Sequence, residues 1–435
     1  MGFDLQAREL NDVIVENNPA VYRVLSNRGK EAYFPKNGIL AQAESAKNCK
    51  IDATIGIALE EDKTTAALPC LAKLTQLEGL TAFQYAPSSG LKELREIWKE
   101  MIVEKNPSLK GIPISLPVAT SALTHAIYVA AQMLLDTGNR IILPDYFWEN
   151  YELVLCHSTD AIIDKFPTFT NDGKYNIAGL KSTVNHFGAG KKILLLNFPN
   201  NPTGYTPTIE EAEKIRDILI EEAERGSSIA VIIDDAYFGL VFEDGIYKES
   251  LFSLLANAHE NILAIKCDGA TKEDYAWGLR TGFLTFGVKG GNKNLYNALE
   301  QKVAGFIREQ ISSASKMSQS LLIRAYKHPS YNAEKQVKFE LLKKRYEKVK
   351  EVLATNQNYK EYFSALPFNS GYFMCIKLKD GIDAEKVREL LIEKYSIGVI
   401  QIQGLLRIAF SSTPTEELPV VFDSIFNCCK ELSGK

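Results

Sequence analysis

Residues 263–286, LAIKCDGATKEDYAWGLRTGFLTF, place one lysine and one arginine in apolar surroundings. An apolar run typical of a buried strand leads through a small-residue turn to Lys272, and Arg280 follows eight residues later. A lysine at the end of a buried strand is costly to desolvate, so its pKa falls and its amine can attack aldehydes. The stretch therefore predicts a Schiff-base lysine if the rest of the chain supports it, since an ordinary surface lysine has the same local sequence.

The size and charge of the chain narrow the classes of function. With 435 residues it exceeds what one hydrophobic core usually holds, so we expect two domains or one domain with a large lobe. Fifty basic residues against 54 acidic ones give a net charge of -4, which offers no electrostatic attraction to nucleic acid or to a membrane surface. No apolar run is long enough to span a bilayer. The sequence therefore predicts a globular protein that binds neither nucleic acid nor membrane.

Cysteine and histidine usage argues against a metal site. The seven cysteines are scattered without a CxxC pair, and the five histidines show no HExxH spacing. Residues 1–6, MGFDLQ, lack the basic flank and apolar core of a signal peptide, and a loop is predicted at 33–38. We therefore expect a cytoplasmic protein with reduced thiols and no bound metal.

Apolar runs alternate with helical patterns from residue 51 to about residue 286. Strands are predicted within 51–58 and 117–124, each ending in a turn, and at 140–143, 193–197, 229–233 and 263–265. The runs at 193–197 and 229–233 are almost continuously apolar, as strands buried in parallel sheets are. Asp234 and Lys272 follow neighbouring strands of this kind, at the edge where open α/β sheets bind ligands. The sequence predicts an α/β fold whose large domain has a mostly parallel sheet flanked by helices.

The last third of the chain changes in character. Two long helices are predicted at 294–328 and 332–355, followed by strand, helix and strand at 370–377, 384–395 and 405–410. This pattern predicts a smaller α+β domain built from the N- and C-terminal segments. We expect residues 1–65 and 316–435 to form the small domain and residues 66–315 the large one.

Three further features suit an anionic, planar ligand. The turn at the end of 117–124 precedes a helix, whose free N–H groups and dipole favour a phosphate. The aromatic run 144–151 can cover a planar ring, although such runs also occur in cores and dimer contacts. Arg407 lies mid-strand among apolar neighbours, where an unpaired charge costs several kcal/mol. Arg407 therefore needs an anionic partner, either from the protein or from a substrate.

Six polar residues have one coherent use when they are taken together: Asn201, Asp234, Tyr237, Lys272, Arg280 and Arg407. Arg280 and Arg407 suit a phosphate and a carboxylate. Lys272 suits an aldehyde, and Asp234 suits a ring nitrogen that must stay protonated. Asn201 and Tyr237 suit a phenolic oxygen. Pyridoxal phosphate has all these groups except the carboxylate, which an amino acid substrate supplies. Pyridoxal 5'-phosphate is therefore the predicted cofactor.

Three motifs in order carry a resemblance to a known family. N-x-P-x-N-P-T-G stands at 197–204, D-x-A-Y at 234–237, and the lysine-to-arginine spacing of eight at Lys272 and Arg280. The sequence resembles the class I/II aminotransferases, which are fold type I pyridoxal phosphate enzymes similar to aspartate aminotransferase. The resemblance extends from about Gly56 to Arg407.

The resemblance implies a role for each residue near the cofactor ring. Lys272 would hold the cofactor as an aldimine and then move the proton between the substrate α-carbon and the cofactor. Asp234 would keep the ring nitrogen protonated, whereas Asp235 points the other way in a strand and would be structural. Asn201 and Tyr237 would bond the ring hydroxyl, and Asn201 would also lie beside the substrate carboxylate.

The resemblance also implies how substrate and ring are held. Arg407 would bind the substrate α-carboxylate as a two-pronged partner, close to the backbone of Gly56. Trp148, or else Phe147, would stack on the ring. Arg308 falls where dicarboxylate-specific members place an arginine from the partner subunit, but a helix-surface arginine is an equal alternative. Aspartate, glutamate and aromatic amino acids thus all stay open as substrates.

Phosphate binding departs from the family pattern in two places. Arg280 would bind the phosphate, together with a turn formed by Leu123 and Thr124. Leu123 replaces a small residue of the family, and Gly269 replaces a serine three residues before the lysine. Tyr85 has the spacing of the tyrosine that reaches the phosphate of the neighbouring subunit, which implies a homodimer with shared active sites.

The predicted reaction is transfer of an amino group between an L-amino acid and a 2-oxo acid. Another pyridoxal phosphate reaction at the α-carbon, such as a C–S β-lyase, is the alternative, because a fold does not fix a function. A non-enzymatic ligand-sensing protein of the same fold would need a basic DNA-binding head. The first fifty residues show neither that charge nor that helical pattern.

Overall fold

The computed structural model describes residues 4–35, 38–77, 79–186 and 188–434. Residues 1–3 of the N-terminal stretch and residues 36 and 37 of the predicted loop lie outside this description. The strands are β1 (Ile51–Asp52), β2 (Val118–Ser121), β3 (Arg140–Pro144), β4 (Ile162–Phe166), β5 (Lys191–Asn197), β6 (Ser228–Asp234), β7 (Ile262–Gly269), β8 (Thr281–Gly287), β9 (Phe363–Ala365), β10 (Phe373–Leu378), β11 (Ile397–Gly398), β12 (Ile400–Ile402) and β13 (Leu405–Ala409).

Helices precede, connect and follow these strands, with short 3-10 and π turns between some of them. They are α1 (Leu5–Asn17), α2 (Pro19–Val24), α3 (Asn27–Glu31), α4 (Ile39–Ala46), α5 (Pro69–Lys73), α6 (Gly79–Phe83), α7 (Lys92–Lys105), α8 (Ala122–Leu134), α9 (Ile177–Asn185), α10 (Ile209–Glu224), α11 (Leu251–Leu255), α12 (Ala270–Glu273), α13 (Lys293–Gln310), α14 (Lys316–Tyr326), α15 (Tyr331–Thr355), α16 (Ala384–Leu390) and α17 (Leu418–Leu432). In the described ranges, no helix is long and apolar enough to cross a membrane.

A seven-stranded sheet in the order β2-β8-β7-β6-β5-β3-β4 positions the candidate site. Strands β3 to β7 run parallel, and β8 lies antiparallel between β2 and β7. The middle strands are buried on both faces, which explains their continuous apolar sequence. In register, Asn197 pairs with Asp234 and Asp234 with Cys267, so the carboxyl ends of β5, β6 and β7 meet at one edge. The predicted mostly parallel sheet is confirmed, and the sequence had given no signal for the antiparallel β8.

The N- and C-terminal segments share a second unit. A four-stranded antiparallel sheet has the order β12-β13-β10-β9, and β1 pairs with β11 in parallel. This pairing joins residues 51–52 to residues 397–398 across the sequence. The predicted small domain from the two ends of the chain is thereby confirmed as part of the fold, while its boundaries at residues 65 and 315 stay a prediction.

Two predicted elements are wrong in extent. The single helix at 294–328 is divided into α13 and α14, because Ser312 adopts a left-handed φ of 62° and Ser315 caps the new helix by accepting a bond from the Ser318 amide at 3.2 Å. The strand at 51–58 is only β1, because the Asp52 carboxylate accepts the Thr54 amide at 3.0 Å and turns the chain. That turn directs residues 54–56 toward the site.

Candidate active site

The candidate site is a cavity of about 260 Å³ at the carboxyl ends of β5, β6 and β7. It brings together most of the side chains selected from the sequence, which come from segments more than 300 residues apart. These are Gly56, Leu123, Thr124, Trp148, Asn201, Asp234, Tyr237, Lys272 and Arg407. Residues 39, 40 and 43 of α4 form an apolar part of the wall.

Lys272 lies in α12, the short helix that follows β7. Its side chain is half-buried, and its Nζ atom is 5.2 Å from the centroid of the Tyr237 ring. Burial lowers the pKa of Lys272; the charge of Asp234 opposes this shift, and the charge of Arg280 adds to it. The local geometry thus provides an amine that loses its proton more easily than a surface lysine does.

Asp234 is buried at the end of β6 and is held by a set of hydrogen bonds. Its Oδ1 accepts the Ala236 amide at 2.9 Å, and its Oδ2 accepts a bond from the Tyr151 hydroxyl. Burial raises the pKa of Asp234, while the bond from Tyr151 and the charge of Lys272 act in the opposite direction. Asn197 also fixes the strand end, because its side chain donates to the Asp234 carbonyl at 2.9 Å and accepts the Asn201 amide at 2.7 Å.

Tyr151 is a site residue that the sequence reasoning did not select. It is fully buried, lines the cavity and meets the Trp148 ring edge-on at a centroid distance of 5.6 Å. Its only signal in the sequence was its position three residues after Trp148, in an aromatic run that also suits packing. Asp235 points to the opposite face, as expected from strand alternation, and accepts bonds from Ser250 and Lys266.

Arg407 is 2% exposed on β13, and its partners are neutral. Its terminal nitrogens donate to Asn201 Oδ1 at 3.1 Å and to the Thr54 carbonyl at 3.0 Å, and its guanidinium lies 4.1 Å from the centroid of the Phe373 ring. Among the described residues, the Nε atom of Arg407 has no hydrogen-bond partner, and no carboxylate forms an ion pair with the guanidinium. Burial lowers the pKa of Arg407. The charge of Glu149 acts on Arg407 from beyond ion-pair distance, so an anionic partner from the protein or from a substrate stays a prediction. The guanidinium keeps an unused donor at the cavity wall.

The predicted phosphate turn is the first turn of α8, which begins at Ala122 and so includes Leu123 and Thr124. Ser121 makes no side-chain cap bond to the helix, so it does not satisfy the first amides of α8, whose first turn contributes Leu123 and Thr124 to the cavity lining. The hydroxyl of Thr271, directly before Lys272, is buried without a partner. Arg280 is exposed, has a left-handed φ of 49°, and does not itself line the cavity.

The two departures from the family pattern, Gly269 and Leu123, lie next to each other. A Cβ atom on Gly269 would lie 2.6 Å from the Thr281 carbonyl oxygen and 3.1 Å from Leu123 Cδ1. The side chain of Leu123, which is 5% exposed, thus fills the space beside Gly269. The β8 backbone is thus the main reason why residue 269 has no side chain, and Leu123 is a second, weaker obstacle.

Besides Arg280, two more predicted site residues lie outside the cavity. Tyr85 is 91% exposed, and Arg308 is exposed near the end of α13. Neither side chain lines the cavity within this chain.

Comparison with known proteins agrees with this geometry. The family model for aminotransferase class I and II matches residues 50–425. The aspartate aminotransferase of Bacillus sp. (strain YM-2) is 27% identical over 258 residues, and the alignment spans 58% of this chain and 58% of that protein. The aspartate aminotransferase of Pyrococcus horikoshii is 25% identical over 386 residues, covering 85% of this chain and 89% of that protein.

Solved structures show the same fold. An aminotransferase from Anaerococcus prevotii superposes with a TM-score of 0.79 at 24% identity, covering 93% of this chain and 99% of that one. An aspartate aminotransferase of Thermus thermophilus superposes with a TM-score of 0.74 at 17% identity, covering 93% and 99% of the two chains. Together with the family match over most of its length, these findings establish that the chain belongs to the class I and II aminotransferases.

Proposed function

We propose that this protein is a pyridoxal phosphate-dependent aminotransferase that moves an amino group between an L-amino acid and a 2-oxo acid. The observation that carries the proposal is one cavity in which a half-buried lysine, a buried aspartate and a buried arginine with an unused donor meet. The names of the relatives agree with such a reaction, since both are aspartate aminotransferases.

The donor set fits the proposed cofactor. A carboxylate at the end of β6 suits a ring nitrogen, the amides at the start of α8 suit a phosphate, and the orphaned Thr271 hydroxyl offers one more donor beside Lys272. Asn201 and Tyr237 would bond the ring hydroxyl, Arg280 would approach the phosphate, and Trp148 would cover one ring face. When bound, pyridoxal phosphate supplies a ring that accepts the electrons released at the substrate α-carbon.

The residues of this chain would bind the substrate and move its protons. Arg407, positioned by Asn201, would bind the α-carboxylate through the donors that it does not use internally. Lys272 would take the proton from the α-carbon and return one, because its lowered pKa lets the amine lose its own proton more easily than a surface lysine does. Asp234, oriented by Tyr151, would keep the ring nitrogen protonated. The cavity walls would exclude water from these transfers.

We further propose that the active unit is a homodimer with shared sites. Tyr85 and Arg308 have no role within their own chain's cavity, and both are exposed. If they act as the family resemblance implies, they do so in the site of a second copy. Sedimentation velocity of the purified protein tests this, and a monomer that turns over substrate at full rate contradicts it.

The central test is direct. Borohydride reduction of the protein incubated with pyridoxal phosphate, followed by peptide mass spectrometry, is expected to add the cofactor at Lys272. Lys272→Ala is expected to abolish turnover in a panel of L-amino acids with 2-oxo acids. Full activity of that variant, or reduction at another lysine, contradicts the proposal. Release of pyruvate without a 2-oxo acid acceptor would instead identify the β-lyase alternative.

A further inference from the structure

Two buried carboxylates directly follow Lys272 and point away from the cavity. The Glu273 and Asp274 side chains are 5% and 1% exposed. Burying a carboxylate costs several kcal/mol unless it is paired and hydrogen-bonded, so both need partners. These residues occupy the turn that fixes where the Lys272 amine lies.

The partners come from three helices that are remote in sequence. Lys335, in the first turns of α15, contacts Glu273 at 3.2 Å and Asp274 at 3.1 Å. Lys105, the last residue of α7, pairs with Glu273 as well. The Tyr326 hydroxyl of α14 donates to Asp274 at 2.8 Å. Lys105, Lys335 and Tyr326 thus form a fork of donors around the two carboxylates. This fork holds the turn that carries Lys272 on the side away from the cavity.

The pKa values of the paired groups shift as expected for ion pairs formed in a buried place. Burial alone would raise the pKa of Glu273, but Lys105 and Lys335 outweigh burial and lower it to about 2. The two acids likewise raise the pKa of Lys335 despite its burial. The pKa of Lys272 responds instead to its burial, to Asp234 and to Arg280. The fork thus constrains the position of Lys272 rather than its charge.

We propose that Lys335 is a positioning residue, which fixes the Lys272 turn through Glu273 and Asp274 and thereby keeps the amine partly desolvated in the cavity. This inference rests on the proposed role of Lys272 as the reactive amine. It also assigns a function to the contact between α15 in the C-terminal part of the chain and the end of β7.

The test measures the pKa of Lys272 itself in the full-length, cofactor-free protein. Competitive labelling with acetic anhydride over a pH series, read by peptide mass spectrometry, gives the pKa of each lysine. In Lys335→Met the turn loosens and water reaches the amine, so the pKa of Lys272 is expected to rise by about one unit. Lys343→Met is the matched control, because Lys343 is on the same helix and forms only an exposed pair with Glu347 at 3.9 Å; it should leave Lys272 unchanged.

A second variant separates position from charge. Asp274→Asn removes a negative charge, which by electrostatics alone would lower the pKa of Lys272, whereas loosening of the turn raises it. A rise in both Lys335→Met and Asp274→Asn supports the proposal. Shifts of opposite sign, or no shift in either folded variant, overturn it.

Turnover distinguishes this inference from the proposed function. If the wild-type protein is a transaminase, Lys335→Met should lower kcat about tenfold with little change in KM, and Lys335→Arg should restore most of it. A wild-type protein without transaminase activity refutes the proposed function, yet the labelling shifts still report whether Lys335 positions Lys272. Unchanged labelling and unchanged kcat in an active enzyme refute the positioning role alone.

Discussion

Replacing Arg407 by methionine tests the carboxylate site most directly. Arg407 is 2% exposed and donates two hydrogen bonds to neutral acceptors, at 3.0 and 3.1 Å, while its Nε atom stays without a hydrogen-bond partner. Methionine has a similar length and no charge, so Arg407→Met leaves the cavity shape nearly intact while removing the cation. An uncharged side chain has no charge to desolvate on folding. This gain in folding free energy offsets the loss of the hydrogen bonds to Asn201 and Thr54.

The expected loss follows from the strength of a buried charge pair. Removing one partner of such a pair costs about 3–5 kcal/mol. At about 1.4 kcal/mol per factor of ten, kcat/KM for an amino acid should fall by about 100- to 5,000-fold. A primary amine that lacks the carboxylate should react at a similar slow rate with both proteins. Steady-state transamination assays with an amino acid and its decarboxylated analogue measure the difference.

Arg345 provides the matched control. It is also a fully buried arginine, and it donates to the carbonyls of Leu59 at 2.7 Å and Ser411 at 2.6 Å, but it does not line the cavity. Arg345→Met should lower thermal stability while changing kcat/KM by less than about threefold. Equal losses for the amino acid and the amine in Arg407→Met, or a loss as small as that of the control, would refute a carboxylate-binding role.

Three further outcomes are expected. Tyr151→Phe removes the hydroxyl that orients Asp234, so kcat should fall about tenfold, which corresponds to the loss of one hydrogen bond to a charged group. The far-UV circular dichroism spectrum should stay unchanged. An unchanged kcat would show that Asp234 needs no such partner. Burial raises the pKa of Asp268 to about 6, above its unfolded value, so its contribution to stability is present at low pH and is lost as pH rises through 6. The Asp268→Asn variant has no carboxyl to ionise, so it does not lose this stability as pH rises. In urea titrations, its free energy of unfolding relative to wild type should therefore rise by about 1 kcal/mol from pH 5 to pH 7. A difference that does not change with pH would contradict a raised pKa of Asp268. If sites are shared, mixing inactive Lys272→Ala chains with Tyr85→Phe chains of reduced activity should give about a quarter of wild-type activity after subunit exchange. Activity no higher than that of the Tyr85→Phe chains alone would argue for independent sites.

The sequence predicted the sheet because its central strands are read from local composition alone. The runs ending at Asn197 and Asp234 are apolar throughout, and the motif residues follow each strand directly, so their meeting at one edge follows from parallel topology. The fold class and the family could therefore be predicted from the sequence, and the comparisons with known proteins confirm both.

Other contacts were not accessible, because nothing local encodes them. Tyr151 and Asp234 are 83 residues apart, and whether an aromatic side chain packs or donates depends on what the fold places opposite its hydroxyl. Lys335 looks like any lysine on an amphipathic helix until α15 is seen against the turn at Glu273. The break after α13 was missed because a run of serines lowers helix propensity only slightly, whereas capping requires a specific geometry at Ser315.

The close packing around Gly269 limits which residues can replace it. Because a Cβ at 269 would meet both Leu123 and the Thr281 backbone, Gly269→Ser alone should be deleterious, and Leu123→Ala would relieve only the side-chain part of the collision. A serine at 269 therefore requires that the β8 backbone moves, and a smaller residue at 123 would remove only the remaining side-chain contact. The path of the strand, more than the identity of residue 123, thus decides which replacements the turn tolerates.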